Sequence, residues 1–313
     1  MKRIIKKVTG ITIFTLLFPF LFTLIFTGKT DAGIYTIEKS GKYIIVSGNG
    51  YEQELDVEEF IPCVLMSEMS IDASKEALKA QTVIIRTYIY KYMENKNEVT
   101  AEETGLDYIK YSELKKLWGK EFYVNYNKLN GVTGETSLEV ITHNGELIQP
   151  FFHYISAGKT RDGAEVFSDE KYAYLQSVDS KADSLTEGYL DVKYYKSEDF
   201  FEKLGIGNET ESMPEDGKIT DLIEITEKCS AGYVLKLVVC EEEYTGDEFQ
   251  DIFDLNSSCF YFEDAGKGVN IVTKGQGHGF GISIEGAVNM AEEGSTYDEI
   301  LKYYFADIEI KKE

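Results

Sequence analysis

Cysteine, histidine and basic residues are all scarce in this chain, and each shortage closes off a class of function. The 313 residues include four cysteines and three histidines. Cys63, Cys229, Cys240 and Cys259 contain no C-x-x-C pair, so neither a zinc ribbon nor a dithiol redox motif is written here. His143, His153, His278 and a cysteine stand at no recognisable ligand spacing, so no metal or other cofactor is expected. Lys and Arg number 32 against 55 Asp and Glu, a formal charge of −23. That balance repels nucleic acid and anionic lipid headgroups, and no basic patch in the sequence offsets it. No Gly-Lys-Ser/Thr follows a glycine-rich run, no G-x-x-G spacing suits a dinucleotide, and no G-x-S-x-G elbow carries a nucleophilic serine. Internal repeats are absent as well.

What is present begins with an address. Met1 to Lys7 is a cationic flank, and Val8 to Gly28 carries no charged residue. That stretch is about long enough to cross a bilayer as a helix. Positive charge before it holds the N-terminus in the cytoplasm, so the chain from about Lys29 onward is expected outside. A cleaved signal peptide would have a shorter apolar region ending in small residues, and Thr30-Asp31-Ala32-Gly33 fits that poorly. The expectation is a retained single-pass anchor over 8–28, kinked at Pro19, with residues 33–313 as an extracytoplasmic domain. An outside location permits disulfides, and Cys229 and Cys240 flank a hairpin-like turn, whereas Cys63 reads as core. Tyr is abundant at 22 residues, which suits polar grooves that stack sugar rings and equally suits amphipathic strands.

Along the chain, Ile34 to Ile37 and Tyr43 to Val46 read as strands. Asp56 is placed to cap a helix, with Glu59 able to reach back to the cap. A second helix starts near Ser74 and runs to about Met93, apolar nearly all round and therefore central. Lys79, Gln81 and Arg86 on it must each find a partner or a ligand. Residues 101–130 read as loop with one short helix at 111–118. A hairpin is expected across 139–148, turning at Asn144-Gly145. Residues 182–220 are polar, with weak helix at 197–204, and suggest a protruding subdomain. Strands return at 222–226 and 233–240, and two helices follow, near 283–293 and after Thr296 with Glu299 as its capping partner. The class implied is α+β: a mixed sheet and a buried central helix forming a substrate cleft.

Two segments carry the chemistry. Ser67-Glu68-Met69-Ser70 lies between two helices, where a carboxylate is half buried. Desolvation there raises its pKa and keeps a proton available near neutrality. A solvated helix-end carboxylate is the plain alternative. Gly275-Gln276-Gly277-His278-Gly279-Phe280-Gly281-Ile282-Ser283 lacks side chains at alternate positions, so something must approach its backbone closely. His278 has three roles open to it: bonding a sugar hydroxyl, touching Glu68, or satisfying a buried backbone group.

Both segments, with Ser156-Ala157-Gly158-Lys159-Thr160 and Tyr174-Leu175-Gln176-Ser177-Val178, resemble the stage II sporulation protein D family of endospore-forming bacteria, whose wider superfamily includes amidase enhancers. The matching positions are Glu68, Met69, Ala77, Leu78, Lys79, Ala80, Gln81, Arg86, Thr87 and Tyr88 in the first segment. In the second they are Gly277, His278, Gly279, Gly281, Ser283, Gly286 and Ala287. The resemblance implies a membrane-anchored lytic transglycosylase that cuts the MurNAc–GlcNAc bond of denuded peptidoglycan strands during engulfment, leaving anhydro-MurNAc ends. Glu68 then falls on the catalytic glutamate, and Lys79, Gln81, Arg86, Ser156, Lys159, His278, Gly279 and Ser283 on substrate-binding positions. Implied partners are glycan strands, a stage II sporulation protein P-type amidase and a stage II sporulation protein M-type membrane protein.

Departures from the family pattern are local. Ser67 and Ser70 replace a Gly and a Pro, and Ile284 and Glu285 replace a Gln and an aromatic residue. Some clostridial relatives hold zinc on Cys and His after the position of His153. No cysteine lies between His153 and Cys229 here, so the metal is not carried over. The rival reading is a non-catalytic glycan-binding protein that stimulates an amidase.

Overall fold

A hairpin opens the part of the chain that the computed structural model describes, which comprises residues 37–48, 51–206 and 218–313. Strands β1 (Tyr43–Gly48) and β2 (Tyr51–Asp56) pair antiparallel, and β1 also pairs in parallel with β3 (Glu98–Thr100). The expected anchor over 8–28 and the strand at 34–37 fall wholly or mostly outside the described residues. Among those described, no helix is long and apolar enough to cross a membrane.

Asp56 ends β2 and caps helix α1 (Val57–Glu68), accepting the Glu58 amide at 3.0 Å. Glu59 does not reach back to the cap; it faces Lys39 at 3.5 Å. Helix α2 (Lys75–Met93) follows from Ser74 as expected. Ala77, Leu78, Ala80, Val83, Ile84, Ile85 and Ile89 on it are wholly enclosed. Each enclosed branched side chain contributes about 1.5–3 kcal/mol relative to exposure. The enclosure is two-sided: Leu78 and Ile85 pack into one apolar cluster with α1, and Val83 and Ile84 into another.

The next segment holds more helix than the sequence suggests. After α3 (Ala101–Thr104) and the expected α4 (Tyr111–Trp118) comes α5 (Phe122–Glu135), a helix where a loop is expected. Its Asn, Val and Gly residues are poor helix formers. Burial of Leu129 and Val132 against α1 and α2, and of Phe122 against Tyr111 and Trp118 of α4, overrides that preference. The hairpin is as read: β4 (Glu139–His143) and β5 (Glu146–Leu147) turn through Asn144 and Gly145, both with positive φ. β6 (Phe152–His153) and α6 (Gly163–Phe167) lead to β7 (Leu190–Lys196) and α7 (Ser197–Leu204).

Beyond these, β8 (Ile223–Lys228), β9 (Val234–Val239) and β10 (Glu242–Thr245) form one antiparallel sheet. Helix α8 (Gly246–Phe253) precedes β11 (Phe260–Asp264) and β12 (Gly268–Lys274), which complete a second antiparallel sheet in the order β11-β12-β7. These elements enclose a core of their own built on Phe200, Phe249, Phe253 and Phe260. No disulfide links any of the four cysteines, so none staples the turn between Cys229 and Cys240. Last come β13 (Ile282–Ser283), α9 (Ile284–Glu292), α10 (Tyr297–Tyr304) and β14 (Ile308–Lys312). β13 pairs in parallel with β6, and β14 pairs with β4, so both ends of the 139–312 segment close on α2. The architecture is α+β with several small sheets around a buried helix.

Candidate active site

Helix α1 stops at Glu68 because Met69 turns to extended backbone, φ −136° and ψ 152°, while its amide still closes on the Leu65 carbonyl. The carboxyl therefore sits at a helix C-terminus, half buried, where unpaired carbonyls already disfavour negative charge. Burial first, and the negative charge of Asp107 second, push it above the usual carboxylate range. Ser67 fixes the neighbourhood: its hydroxyl lies 2.7 Å from the carbonyls of both Val64 and Asp107. The segment carrying Asp107 is thereby laid along the end of α1.

Across from Glu68 stands β6. Together they line an open cleft of about 350 Å³ formed by Ser67, Glu68, Phe152, His153, Tyr154, Gln276 and Ile284. Gln276 comes from the glycine-rich segment, so the two motifs meet at one cleft. Tyr154 is 41% exposed and presents a ring beside it. The glycines face inward. All of Gly275, Gly277, Gly279 and Gly281 have positive φ. A Cβ on Gly277 would come within 2.7 Å of the His153 Cβ, one on Gly279 within 2.4 Å of the Tyr233 ring, and one on Gly281 within 2.0 Å of the Phe151 carbonyl oxygen. What approaches this backbone is the protein's own β6 strand and Tyr233.

Two histidines are locked by one residue. The Phe280 amide donates to His278 Nδ1, and the Phe280 carbonyl lies 3.0 Å from His153 Nδ1. His278 therefore carries its proton on Nε2, and His153 carries its own on Nδ1, which leaves His153 Nε2 an acceptor. The rings stand 5.8 Å apart. His153 Nε2 is buried with no hydrogen-bond partner. Burial, then the neighbouring His278, lowers the His153 pKa to about 3; burial, then Arg161, lowers that of His278 to about 4. Both rings are neutral across the physiological range.

The other expected contact residues lie elsewhere than on the cleft. Arg86 is fully buried and forks onto Glu58, at 2.5 and 2.8 Å. Lys79 bonds Glu76 at 2.8 Å and Glu135 at 2.9 Å. Gln81 is enclosed, and its Nε2 has no partner. Ser156 and Ser283 converge on Asp183, whose Oδ2 accepts the Ser156 amide and the Ser283 hydroxyl at 2.7 Å each. Gly279 is spent on Tyr233, and Lys159 bridges to Asp179 through the backbone. His278 satisfies backbone groups behind His153. His143 belongs to another sheet and faces the Asp307 carbonyl. Among the described residues, no group of three or more His, Cys, Asp or Glu could hold a metal ion.

No local pattern marks His153, Tyr154, Asp107 or Asp183 as site residues. From sequence His153 reads only as a candidate metal ligand, and its tie to Phe280 spans a separation no local pattern encodes. Gln276 lay within the quoted motif. Nothing in the sequence around Asp183 marks it.

Comparison with known proteins places the chain in a family. The family model described as "Stage II sporulation protein" (SpoIID) matches residues 48–143, the part that carries α1, Glu68 and α2. Stage II sporulation protein D of Bacillus subtilis is 30% identical over 93% of this chain and 85% of its own length. Its counterpart in Bacillus amyloliquefaciens is 26% identical over 100% of this chain and 96% of its own length. An uncharacterized protein of Brachyspira hyodysenteriae is 29% identical over 82% of this chain and 67% of its own. With the Glu68 helix, the central helix and the glycine-rich segment all inside that shared span, the chain belongs to the stage II sporulation protein D family.

Proposed function

We propose that this protein is a lytic transglycosylase that cuts the MurNAc–GlcNAc bond of peptidoglycan glycan strands. The observation that carries the reading is a half-buried carboxyl, Glu68, whose pKa burial and then Asp107 raise, at the edge of an open polar and aromatic cleft. Protonated Glu68 donates to the glycosidic oxygen as the bond to the anomeric carbon breaks. The resulting carboxylate then takes the proton of the same sugar's 6-hydroxyl as that oxygen attacks the anomeric carbon. One carboxyl acts twice, no water is consumed, and the product ends in 1,6-anhydro-MurNAc. Tyr154 offers a stacking face to a sugar ring, while His153 lines the cleft as a neutral ring whose Nε2 is sealed from solvent. The N-terminal segment would hold the cleft outside the membrane during engulfment. A P-type amidase would supply strands stripped of peptide stems, and an M-type membrane protein would join the complex.

A second reading has its own observation. Asp107 lies close enough to raise the Glu68 pKa, and a second carboxylate is what a hydrolase uses as base or nucleophile. Incubation with denuded glycan strands followed by mass spectrometry separates the two. Anhydro-MurNAc ends support the proposal, and reducing ends that incorporate water support hydrolysis. Intact strands together with stimulation of an added amidase would support a non-catalytic enhancer.

A further inference from the structure

Strand β7 ends its sheet. It pairs with β12 from Leu190↔Lys274 to Lys196↔Gly268, and among the described residues nothing pairs with its other edge. One face of it is apolar and uncovered: Leu190 is 57%, Val192 56% and Tyr194 50% exposed. The opposite face carries Asp191 and Lys193. Asp191 Oδ2 is buried with no hydrogen-bond partner, while Lys193 Nζ reaches the carbonyl and carboxylate of Asp254, a side chain 97% exposed. A free edge, an apolar stripe and an acidic and a basic side chain two positions apart coincide on seven residues.

We propose that β7 pairs antiparallel with β7 of a second copy of this chain about a two-fold axis at Val192, joining two three-stranded sheets into one. The register follows from parity and charge. Residues directly opposite across an antiparallel pair share a face, so only registers that match even with even positions keep both apolar stripes on the same side. An axis at Asp191 or at Lys193 would set like charges against each other. An axis at Tyr194 would place Val192 against Lys196 and leave Asp191 without Lys193. The axis at Val192 sets Leu190 against Tyr194 twice on the outer face and Asp191 against Lys193 twice on the inner face. Opposite charges thus face each other twice across the seam. Lysine at a strand edge ordinarily discourages pairing; here it is the complement of Asp191.

The test is a charge swap in the full chain held in detergent micelles, read by sedimentation velocity over a concentration series. D191K sets lysine against lysine and K193D sets aspartate against aspartate, so each single variant should weaken dimerisation at least about tenfold. The double variant restores opposite pairs and should recover dimerisation to within about threefold of the parent. Because K193D also meets Asp254, a second probe leaves charge alone. V192C places two thiols across the axis, with Cβ atoms about 4.5–5.5 Å apart, and a short bis-maleimide should join the copies. Y123C, at a side chain 68% exposed on α5, should not be joined. A parent chain that stays monomeric at about 100 µM, well above the micromolar range where specific pairs form, overturns the proposal. So does V192C that crosslinks no more than Y123C. Single variants that dimerise like the parent would move any interface to another surface.

Discussion

Glu68 is a residue whose surroundings oppose its ionised form. Burial and Asp107 both raise its pKa. The folded protein thus binds its proton more tightly than the unfolded chain does, and the group loses stability for the fold as pH rises from the unfolded value toward the folded one. Glu68→Gln should therefore raise Tm at pH 7, with the gain fading below about pH 4, where both states are protonated. It should also cut glycan cleavage by about 10²–10⁴-fold, the span of a lost general acid. Asp107→Asn removes a charge that favours the protonated form. The alkaline limb of the rate profile should then move to lower pH with the anhydro product unchanged. A limb that stays in place, or a switch to hydrolysed ends, would give Asp107 a chemical role. Glu68 was legible in the sequence because both its helix signals and its family motif are local. The His153 acceptor was not, because the Phe280 carbonyl that orients it lies far along the chain.

At the scale of elements, α2 and the glycine-rich segment work as supports, and both can be tested as supports. Arg86 and Glu58 form a fully enclosed ion pair. Breaking it by Arg86→Met should cost about 3–5 kcal/mol in urea unfolding, because a bare carboxylate stays buried. The double change with Glu58→Leu should recover most of that loss. In the glycine-rich segment, Gly281→Ala sets a Cβ 2.0 Å from the Phe151 carbonyl at positive φ, so the chain must shift beside β6. Gly294→Ala, also at positive φ but in open space, should cost only the left-handed penalty of about 1–2 kcal/mol. If Gly281→Ala melts no earlier than Gly294→Ala, the close approach to β6 is not what demands glycine there. The sequence announced that some approach was tight, but the loop alone could not say whether ligand or strand made it. Its local periodicity placed α2, the Asn144-Gly145 turn and the Thr296 capping box correctly. It missed α5, where tertiary burial overrides helix propensity, and β7, whose alternation of charged and apolar residues was submerged in a segment read as polar.

Across the whole molecule, pH acts on folding through two opposed sets of groups. A net charge of −23 means that mild acid relieves self-repulsion and favours the compact state. The buried histidines work the other way. Their folded pKa values, about 3 for His153 and about 4 for His278, lie below the ordinary 6.5. The unfolded chain therefore binds more protons between roughly pH 4 and 6.5, and stability contributed by each ring is full above the unfolded pKa and lost as pH falls. By pH 5 each ring has surrendered about 2 kcal/mol. The sum of the two sets hides either one in a single melting curve, but a difference between variants isolates it. His153→Asn keeps a side-chain donor for the Phe280 carbonyl and removes one titrating ring. Its stability relative to the parent should rise by about 2 kcal/mol between pH 7 and pH 5 in denaturant titrations. The carboxylates are common to both proteins and cancel, so a flat difference would mean that the folded His153 ring takes up its proton at the ordinary pKa, and that its burial does not hold it neutral in mild acid.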